Sequence, residues 1–441
     1  MIYKRKIYDK LLDWKTNWAD RRALLIQGAR RIGKSTIVEE FARKEYDSYI
    51  LINFQFDLPK VRSLFDDMSS LDDFFRNLSL VYGVRLYEKK SLIIFDEIQR
   101  FPPARESIKQ LVLDGRYHFL ETGSLISLRR NVENILIPSE ERRINMYPMD
   151  FEEFLWALGD NITADSIREN FRTRKPFGDA VHRTILRKYR TYLAVGGMPE
   201  AVSEFINTNN YENVDLIKRD ILELYESDLK KLDDESRLST SLILKAVPSE
   251  LSTSSSLFRT VSLGKDIRER RSYSSFDAIS ESMIVNMAYC TADPGFAPAF
   301  SRDFTRQKIY MGDTGLFVTQ IFRSSNVPIN ESIYVPLVTG KISMNLGMII
   351  ENAVAQALVA SGHDLYFYMF DHYEIDFLIP HDRKVIPIEA KSSEYATHKS
   401  LDVFCEKYSS RVDNNRYVIY SKDLRKEGNI IYIPFYMAMC L

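Results

Sequence analysis

The first third of the chain alternates short apolar runs with longer segments of mixed polarity. Five of the runs are predicted strands: Ala23–Gln27 and residues 49–54, 92–95, 117–121 and 144–147. Strands separated by segments of helix length are typical of a parallel sheet with helices on both faces. We therefore predict an α/β domain over residues 1–155.

The apolar pattern becomes helical after this domain. Apolar side chains then recur every three or four positions, which predicts a helical subdomain over residues 156–232. Later in the chain the pattern predicts a helix at residues 347–361 and strands at 374–379 and 385–391. The chain is thus predicted to be an α/β protein of several domains.

Length and composition narrow the protein class. A chain of 441 residues exceeds one ordinary domain, and 45% hydrophobic with 27% charged residues is typical of a packed globular protein. The formal net charge of −1 excludes a global positive field that would draw the protein onto nucleic acid or an anionic membrane. Three widely spaced cysteines, and no apolar run of about 18 residues, predict a cytoplasmic protein without membrane contact.

A glycine-rich loop follows the first predicted strand. The sequence Gly-Ala-Arg-Arg-Ile-Gly-Lys-Ser at residues 28–35 leads into a predicted helix at residues 34–42. Backbone amides of such a loop surround phosphate oxygens, the lysine reaches the outer phosphates, and the serine hydroxyl joins the magnesium shell. The residues expected to bind the nucleotide are Gly28, Ala29, Arg30, Arg31, Ile32, Gly33, Lys34, Ser35 and Thr36.

Two carboxylates end the third predicted strand. Asp96 and Glu97 follow the apolar run Leu-Ile-Ile-Phe. Asp96 is expected to hold Mg²⁺ together with Ser35. Glu97 is expected to orient and polarise the attacking water, because phosphoryl transfer depends on positioning and charge stabilisation. The loop, with Lys34 as a catalytic residue, and this strand end together predict hydrolysis of ATP with Mg²⁺.

Further polar residues are candidates for catalytic roles. Thr122 and Ser124 end the fourth predicted strand and would sense the outer phosphate, or would only bond the backbone of a turn. Arg142 or Arg143 would act as an arginine finger, or would be a solvated surface residue. The sequence contains no Asn-Lys-x-Asp motif for guanine, which favours ATP over GTP.

The chain resembles AAA-type ATPases of bacteria and archaea that carry a C-terminal DUF4143 domain. The motifs that carry the resemblance are the loop at residues 28–35, the strand end at 94–99, the Thr-Gly-Ser turn at 122–124, and the segments 147–154, 192–200 and 308–316. The resemblance covers nearly the whole chain. One departure is Glu141 before Arg142, where relatives tend to have Gly-Arg.

The resemblance implies an order of domains. It implies an ATPase core at residues 1–155, a helical lid at 156–232 and a winged-helix-like region at 233–320. A restriction-nuclease-like α/β domain, DUF4143, is expected at residues 321–441.

Four residues of the last domain match the PD-(D/E)XK nuclease fold. Alternation places Glu374 and Asp376 on one face of a predicted strand, Glu389 and Lys391 share a face of the next, and Glu351 lies in the preceding helix. By this resemblance Glu351, Asp376 and Glu389 hold one or two Mg²⁺ ions, and Lys391 activates or positions the attacking water. Asp376, Glu389 and Lys391 are thus the predicted catalytic residues of the nuclease-like site.

The sequence leaves two functions of different classes open. In the first, ATP hydrolysis drives a conformational switch coupled to a C-terminal domain that cuts or binds DNA. In the second, the nucleotide gates an interaction protein whose C-terminal domain is a catalytically inactive binding platform. ATP and, through the C-terminal domain, DNA are the predicted partners, and a homo-oligomer is left open.

Overall fold

The computed structural model divides into two compact units. The first comprises Met1–Tyr147 with Glu281–Met283, and the second comprises Pro148–Ser280 with Ile284–Leu441. The structure describes the chain apart from residues 1, 125–138, 232, 234–238, 253–256, 259–268, 296, 324–329, 343–345, 371–372 and 393–397. Each unit contains a sheet of its own, so each is described separately.

The first unit contains the parallel sheet that the apolar runs predict. Its strands are β1 (Ala23–Gln27), β2 (Ser48–Asn53), β3 (Ser91–Asp96), β4 (His118–Gly123) and β5 (Glu141–Asn145). Its main helices are α1 (Ile7–Asn17), α2 (Lys34–Glu45), α3 (Leu58–Asp66), α4 (Leu71–Tyr82) and α5 (Pro102–Asp114). The strand order is β2-β3-β4-β1-β5, and every pair of neighbours is parallel.

The degree of burial of each strand explains how clearly the apolar pattern of the sequence predicts it. β1, β3 and β4 are buried at every position. β1 and β3 therefore appear as apolar runs, at residues 23–26 and 92–95, whereas β4 also buries His118, Glu121 and Thr122. β5 is a half-exposed edge strand, and its first residues, Glu141 to Arg143, are charged. Apolar patterning therefore misplaced this strand at residues 144–147, whereas it begins at Glu141 and ends at Asn145.

Strand order brings the ends of β1, β3 and β4 together. β4 lies between β1 and β3, and all three run in the same direction. The carboxyl ends of parallel strands lie at one edge of a sheet, where ligands of α/β proteins bind. The glycine-rich loop after β1, the acidic pair after β3 and Thr122 near the end of β4 are therefore neighbours.

The second unit begins with helices, as the sequence pattern predicts. The helices that follow the first unit are α6 (Phe151–Ala157), α7 (Thr163–Thr173), α8 (Asp179–Val195), α9 (Pro199–Thr208), α10 (Tyr211–Lys230), α11 (Thr240–Leu251), α12 (Glu269–Glu281), α13 (Thr314–Phe322), α14 (Val335–Thr339), α15 (Leu346–Ala360) and α16 (Lys399–Lys407). None of the helices formed by the described residues combines the length and apolar composition needed to span a membrane.

A mixed sheet forms the rest of the second unit. Its strands are β6 (Val285–Thr291), β7 (Arg302–Met311), β8 (Leu365–Phe370), β9 (Tyr373–His381), β10 (Lys384–Ala390), β11 (Arg416–Tyr420), β12 (Arg425–Glu427) and β13 (Ile430–Pro434). The order is β12-β13-β11-β10-β9-β8-β6-β7. β6 and β7 come from the region predicted to be winged-helix-like, so the predicted boundary between residues 320 and 321 divides one sheet.

Two motifs singled out in the sequence contact each other and fix α15 on β7. A Cβ atom on Gly315 would overlap the backbone of Gly196, so this contact requires glycine. The Asp313 carboxylate accepts hydrogen bonds from the backbone N–H groups of Gly197 and Leu316, at 2.6 and 2.8 Å. Asn352 of α15 accepts a bond of 2.7 Å from the N–H of Met311, at the end of β7. The Asn352 bond places the first half of α15 beside the end of β7.

Candidate functional site

The backbone conformation of the glycine-rich loop requires glycine at two of its positions. A Cβ atom on Gly28 would overlap the carbonyl oxygen of Met146 and the side chain of Ile32. Gly33 has a φ of 95°, in the left-handed region that favours glycine, and α2 begins at the next residue. Arg31 also has a positive φ, of 66°. The loop therefore reverses sharply and presents the N-terminus of α2, where anions are favoured.

Lys34 is held inside this loop. Its side chain is buried, and its Nζ donates hydrogen bonds to the carbonyl oxygens of Gly28, at 2.9 Å, and Ala29, at 2.8 Å. Burial lowers the pKa of Lys34 to about 8, against the opposing effect of Glu97 and Asp96. The ammonium is thus satisfied by neutral carbonyls, and its charge is available to a phosphate group.

Asp96 lies where the ends of three strands meet. Its carboxylate is 1% exposed. It accepts hydrogen bonds from Ser35 Oγ at 2.8 Å, from Asn53 Nδ2 at 2.7 Å and from Thr122 Oγ1. All three donors are uncharged, so they orient the carboxylate without neutralising it. Carboxylate and hydroxyl oxygens are ligands that Mg²⁺ prefers, so Asp96 and Ser35 fit a magnesium site.

Glu97 stands in an unusual backbone conformation next to Asp96. Its φ of 57° lies in the left-handed region, which residues other than glycine seldom adopt. Residues with such backbone conformations cluster at functional sites. Gln99 Nε2 donates a bond of 2.5 Å to Glu97 Oε2 and also lies 3.4 Å from Ser124 Oγ. The Glu97 N–H donates to Thr122 Oγ1 at 3.3 Å. The carboxylate of Glu97 is therefore held in a defined position.

The other predicted loop and strand-end residues take different positions. Thr122 contacts Asp96 and the backbone of Glu97, while Ser124 contacts Gln99, which in turn contacts Glu97. The remaining loop residues divide by exposure: Ala29 and Ile32 are buried, Arg30 is half-buried, and Arg31 and Thr36 are exposed. The two phosphate-sensing candidates stay predictions.

Sequence reasoning missed residues that support the site. Asn53 pairs with Asp96 across β2 and β3, and Gln99 holds Glu97. Arg5 is buried and donates to the carbonyl oxygens of Ile32, at 2.9 Å, and Tyr147, at 2.6 Å. Asn53 could have been found as a polar residue at the end of an otherwise apolar strand. For Arg5, the sequence offered no comparable signal.

The two arginine-finger candidates lie on β5 and contact side chains of their own unit. The guanidinium of Arg142 stacks over Trp18, 4.4 Å from the ring centroid. Arg143 Nε donates a bond of 2.6 Å to Glu141, which also accepts bonds of 3.0 Å from the buried Arg105. Glu141, the residue that departs from the family pattern, thus fixes Arg143. An arginine finger supplied to a neighbouring chain stays a prediction.

Three carboxylates of the second unit converge, and we call them the carboxylate cluster. They are Glu351, near the start of α15, and Glu374 and Asp376, on β9. One oxygen of each lies within 4.8 Å of the others. Carboxylate oxygens at this spacing fit a divalent ion, whose bonds to oxygen are about 2.0 to 2.6 Å long. The donor set is that of Mg²⁺, Mn²⁺ or Ca²⁺ and not that of a soft metal.

Two residues of β7 contact this cluster. Lys308 is 1% exposed, its Nζ lies 2.8 Å from Glu351 Oε1, and it also pairs with Glu374. The Tyr310 hydroxyl donates a bond of 2.6 Å to the same Glu351 oxygen. Burial raises the pKa of Glu351, but the Lys308 ammonium outweighs it and holds that pKa below its usual value. Lys308 was absent from the predicted site because it lies far from the cluster in sequence.

The predicted Glu-x-Lys pair lies beside the cluster. Lys391 Nζ is 3.1 Å from Glu389 Oε2, and the N–H of Ala390 donates a bond of 2.8 Å to Asp376. Burial, with the nearby Glu351, raises the pKa of Asp376 to about 7. Of the predicted metal ligands, Glu351 and Asp376 belong to the cluster, whereas Glu389 is a partner of Lys391 outside it. Glu374 takes the third position.

Three family models match parts of the chain. An AAA domain matches residues 20–155, the domain of unknown function DUF8612 matches residues 186–326, and the domain of unknown function DUF4143 matches residues 346–437. The DUF8612 match spans the predicted boundary between the helical lid and the winged-helix-like region. The DUF4143 match includes the carboxylate cluster and Lys391 but not Lys308.

The chain is also similar to whole proteins. MJ1637 of Methanocaldococcus jannaschii, described as uncharacterized, is 24% identical over 464 residues, which cover 98% of this chain and 88% of that protein. The Walker-type ATPase PABY2304 of Pyrococcus abyssi is 15% identical with a TM-score of 0.40, covering 72% of this chain and 96% of that chain. The ORC2 protein of Aeropyrum pernix in its ADP form is 12% identical with a TM-score of 0.26, covering 76% of this chain and 93% of that chain. On the family models, the chain combines an AAA domain with a DUF4143 domain.

Proposed function

We propose that the first unit binds ATP with Mg²⁺ and hydrolyses it. The observation that carries the proposal is the bond of 2.8 Å from Ser35 Oγ to the buried carboxylate of Asp96, beside the loop that contains Lys34. A hydroxyl and a carboxylate at this distance are placed to hold one magnesium ion, and the loop supplies an ammonium and backbone N–H groups for phosphates.

Each residue has one task in this proposal. Lys34 would move from the carbonyls of its own loop to the outer phosphates. Ser35 and Asp96 would hold Mg²⁺, which would supply charge neutralisation for the phosphates. Glu97 orients the attacking water, because Gln99 holds its carboxylate in place. Catalysis then rests on positioning and charge stabilisation, which is how phosphoryl transfer is generally accelerated.

ATP hydrolysis by the purified chain tests this proposal. Wild-type protein with Mg²⁺ should release phosphate from ATP, and Lys34→Ala should lose this activity. Lys44→Ala is the matched control, because Lys44 lies on the same helix but is exposed and pairs with Glu40. The proposal would be contradicted if the folded wild-type chain did not hydrolyse ATP, or if wild type and Lys34→Ala hydrolysed it equally fast.

We propose a second activity for the DUF4143 domain, in which the carboxylate cluster binds a divalent ion and acts on DNA. The convergence of three carboxylate oxygens within 4.8 Å, with Lys391 nearby, supports it. A divalent ion supplies charge stabilisation to a phosphodiester transition state. The alternative is a binding platform without catalysis, gated by the nucleotide of the first unit.

Cleavage of supercoiled and linear DNA separates these alternatives. Wild type should cut with Mg²⁺ or Mn²⁺, Asp376→Asn and Lys391→Ala should not, and ATP should change the rate if the two activities are coupled. Asp382→Asn is the matched control, since Asp382 is an exposed aspartate just after β9. DNA binding without cutting by wild type under any of these conditions would favour the platform.

A further inference from the structure

Lys308 carries a positive charge into the carboxylate cluster from β7. It is fully buried, and it pairs with both Glu351 and Glu374. Burying an ammonium group is strongly unfavourable unless opposite charges compensate it. Two of the three carboxylates that would bind a metal ion are therefore already engaged by a cation that belongs to the chain.

The charges around the cluster limit how many ions it can hold. The cluster and Glu389 contribute four carboxylates, while Lys308 and Lys391 contribute two ammonium groups. With every group ionised the formal charge is therefore −2. One divalent ion neutralises this charge, and two would leave a formal charge of +2 in a half-buried site.

We propose that Lys308 takes the place of a second cation and so restricts the carboxylate cluster to one divalent ion. This inference rests on the metal site proposed for the second unit. Sites with two ions hold them about 3.5 to 4 Å apart and need carboxylates for each. Lys308 occupies carboxylate oxygens that a second ion would need, and because it is tethered to β7 it does not diffuse away.

Tyr310 provides a matched control for this role. Its hydroxyl donates to the same oxygen of Glu351 that Lys308 contacts, at 2.6 Å, but it carries no charge. Tyr310→Phe removes one hydrogen bond to Glu351 and leaves the charge of the cluster unchanged. Lys308→Met removes a hydrogen bond and a charge together. The two substitutions therefore separate orientation of Glu351 from charge compensation.

Binding of Mn²⁺ to the full chain tests the proposal without an activity assay. Calorimetry gives affinity and stoichiometry, and electron paramagnetic resonance counts free Mn²⁺. Every chain carries Asp96→Asn, so that the first unit contributes no ion. We expect one Mn²⁺ for this background chain and for Tyr310→Phe. Lys308→Met should bind a second Mn²⁺ and bind the first at least about tenfold more tightly, because a repelling charge is gone.

Each other outcome contradicts a defined part of the account. Two ions on the background chain overturn the role of Lys308 and leave the metal site in place. A folded Lys308→Met chain that still binds one ion, or that binds Mn²⁺ more weakly, does the same. No Mn²⁺ on the folded background chain overturns the metal site itself. If Lys308→Met does not fold, the double variant with Lys308→Met and Glu351→Gln replaces it. Its formal charge is again −2, so it should bind one ion. Two ions on this variant would contradict the proposal.

Discussion

Both candidate sites contain carboxylates, buried at Asp96 and half-buried in the carboxylate cluster, but different groups hold them. In the first unit, Asp96 accepts hydrogen bonds from the uncharged side chains of Ser35, Asn53 and Thr122. In the second unit, Glu351 and Glu374 are paired with the ammonium of Lys308. Neutral donors orient a carboxylate and leave its charge for a metal ion, whereas an ammonium already compensates that charge.

The buried lysine of each candidate site shows the same contrast. Lys34 donates to the carbonyl oxygens of Gly28 and Ala29, which carry no net charge. Lys308 donates to carboxylates instead. An ammonium on carbonyls keeps its attraction for an incoming anion, while an ammonium on carboxylates is largely neutralised. The first site is therefore prepared for a charged ligand, and the second is partly neutral before any ligand binds.

Glu97→Gln should give the largest change, and it should be confined to the first unit. The amide keeps the size of the side chain and loses the negative charge that polarises water. We expect kcat for ATP hydrolysis to fall about a thousandfold, within the usual range for such groups, with ATP affinity retained. Single-turnover kinetics and calorimetry check this, and Mn²⁺ binding by the second unit serves as the control. Unchanged kcat would remove Glu97 from the mechanism.

Gly28→Ala should weaken ATP binding about a hundredfold, which corresponds to about 2.7 kcal/mol. The added Cβ overlaps the carbonyl oxygen of Met146, so the loop must shift away from its phosphate-binding shape. Fluorescent ATP titration measures the affinity. Wild-type affinity in this variant would show that the observed loop geometry does not determine nucleotide binding.

Gly315→Ala should destabilise the second unit and spare the first. The new methyl group overlaps the backbone of Gly196, and overpacking of this kind is unfavourable by about 1 to 3 kcal/mol. Hydrogen exchange should show faster opening in α8 and α13, with β1 to β4 unchanged. Gly347→Ala is the control, since its nearest neighbour is Ser392 Oγ at 3.7 Å. Equal protection in both variants would contradict the prediction.

Asn53→Ala should have the smallest effect of the four. It removes one neutral donor from Asp96, and a single hydrogen bond contributes about 1 kcal/mol. We expect the Mg²⁺ concentration for half-maximal hydrolysis to rise about fivefold, with kcat nearly unchanged. A titration with Mg²⁺ at saturating ATP measures this. A loss as large as that of Glu97→Gln would mean that Asn53 does more than orient Asp96.

The sequence predicts the parts of the molecule that are contiguous along the chain. The strand, loop and helix around Lys34 follow one another directly along the chain, and the apolar run before Asp96 marks a buried strand. The local sequence pattern was therefore sufficient to predict both. β5 was misplaced because edge strands are only half apolar, and the charged residue Glu141 begins it.

The remaining parts depend on which distant segments become neighbours. Lys308 and Asn53 reach their sites through the order of strands in a sheet, which no local pattern encodes. Likewise, β6 and β7 join a sheet whose other strands begin more than fifty residues later, so residues 285–311 appeared to belong to a separate region. The spacing Glu-x-Lys placed Glu389 beside Lys391, but the position of Glu374 in the cluster required the observed fold.

Calorimetric titration of ATP with Mg²⁺ into the folded chain is the most direct test of the account. We predict one ATP bound per chain by wild type, and binding at least about tenfold weaker by Lys34→Ala, since one ion-pair contact to phosphate is worth more than about 1.4 kcal/mol. A folded wild-type chain that takes up no ATP would contradict the assignment of residues 28–36 as a nucleotide site.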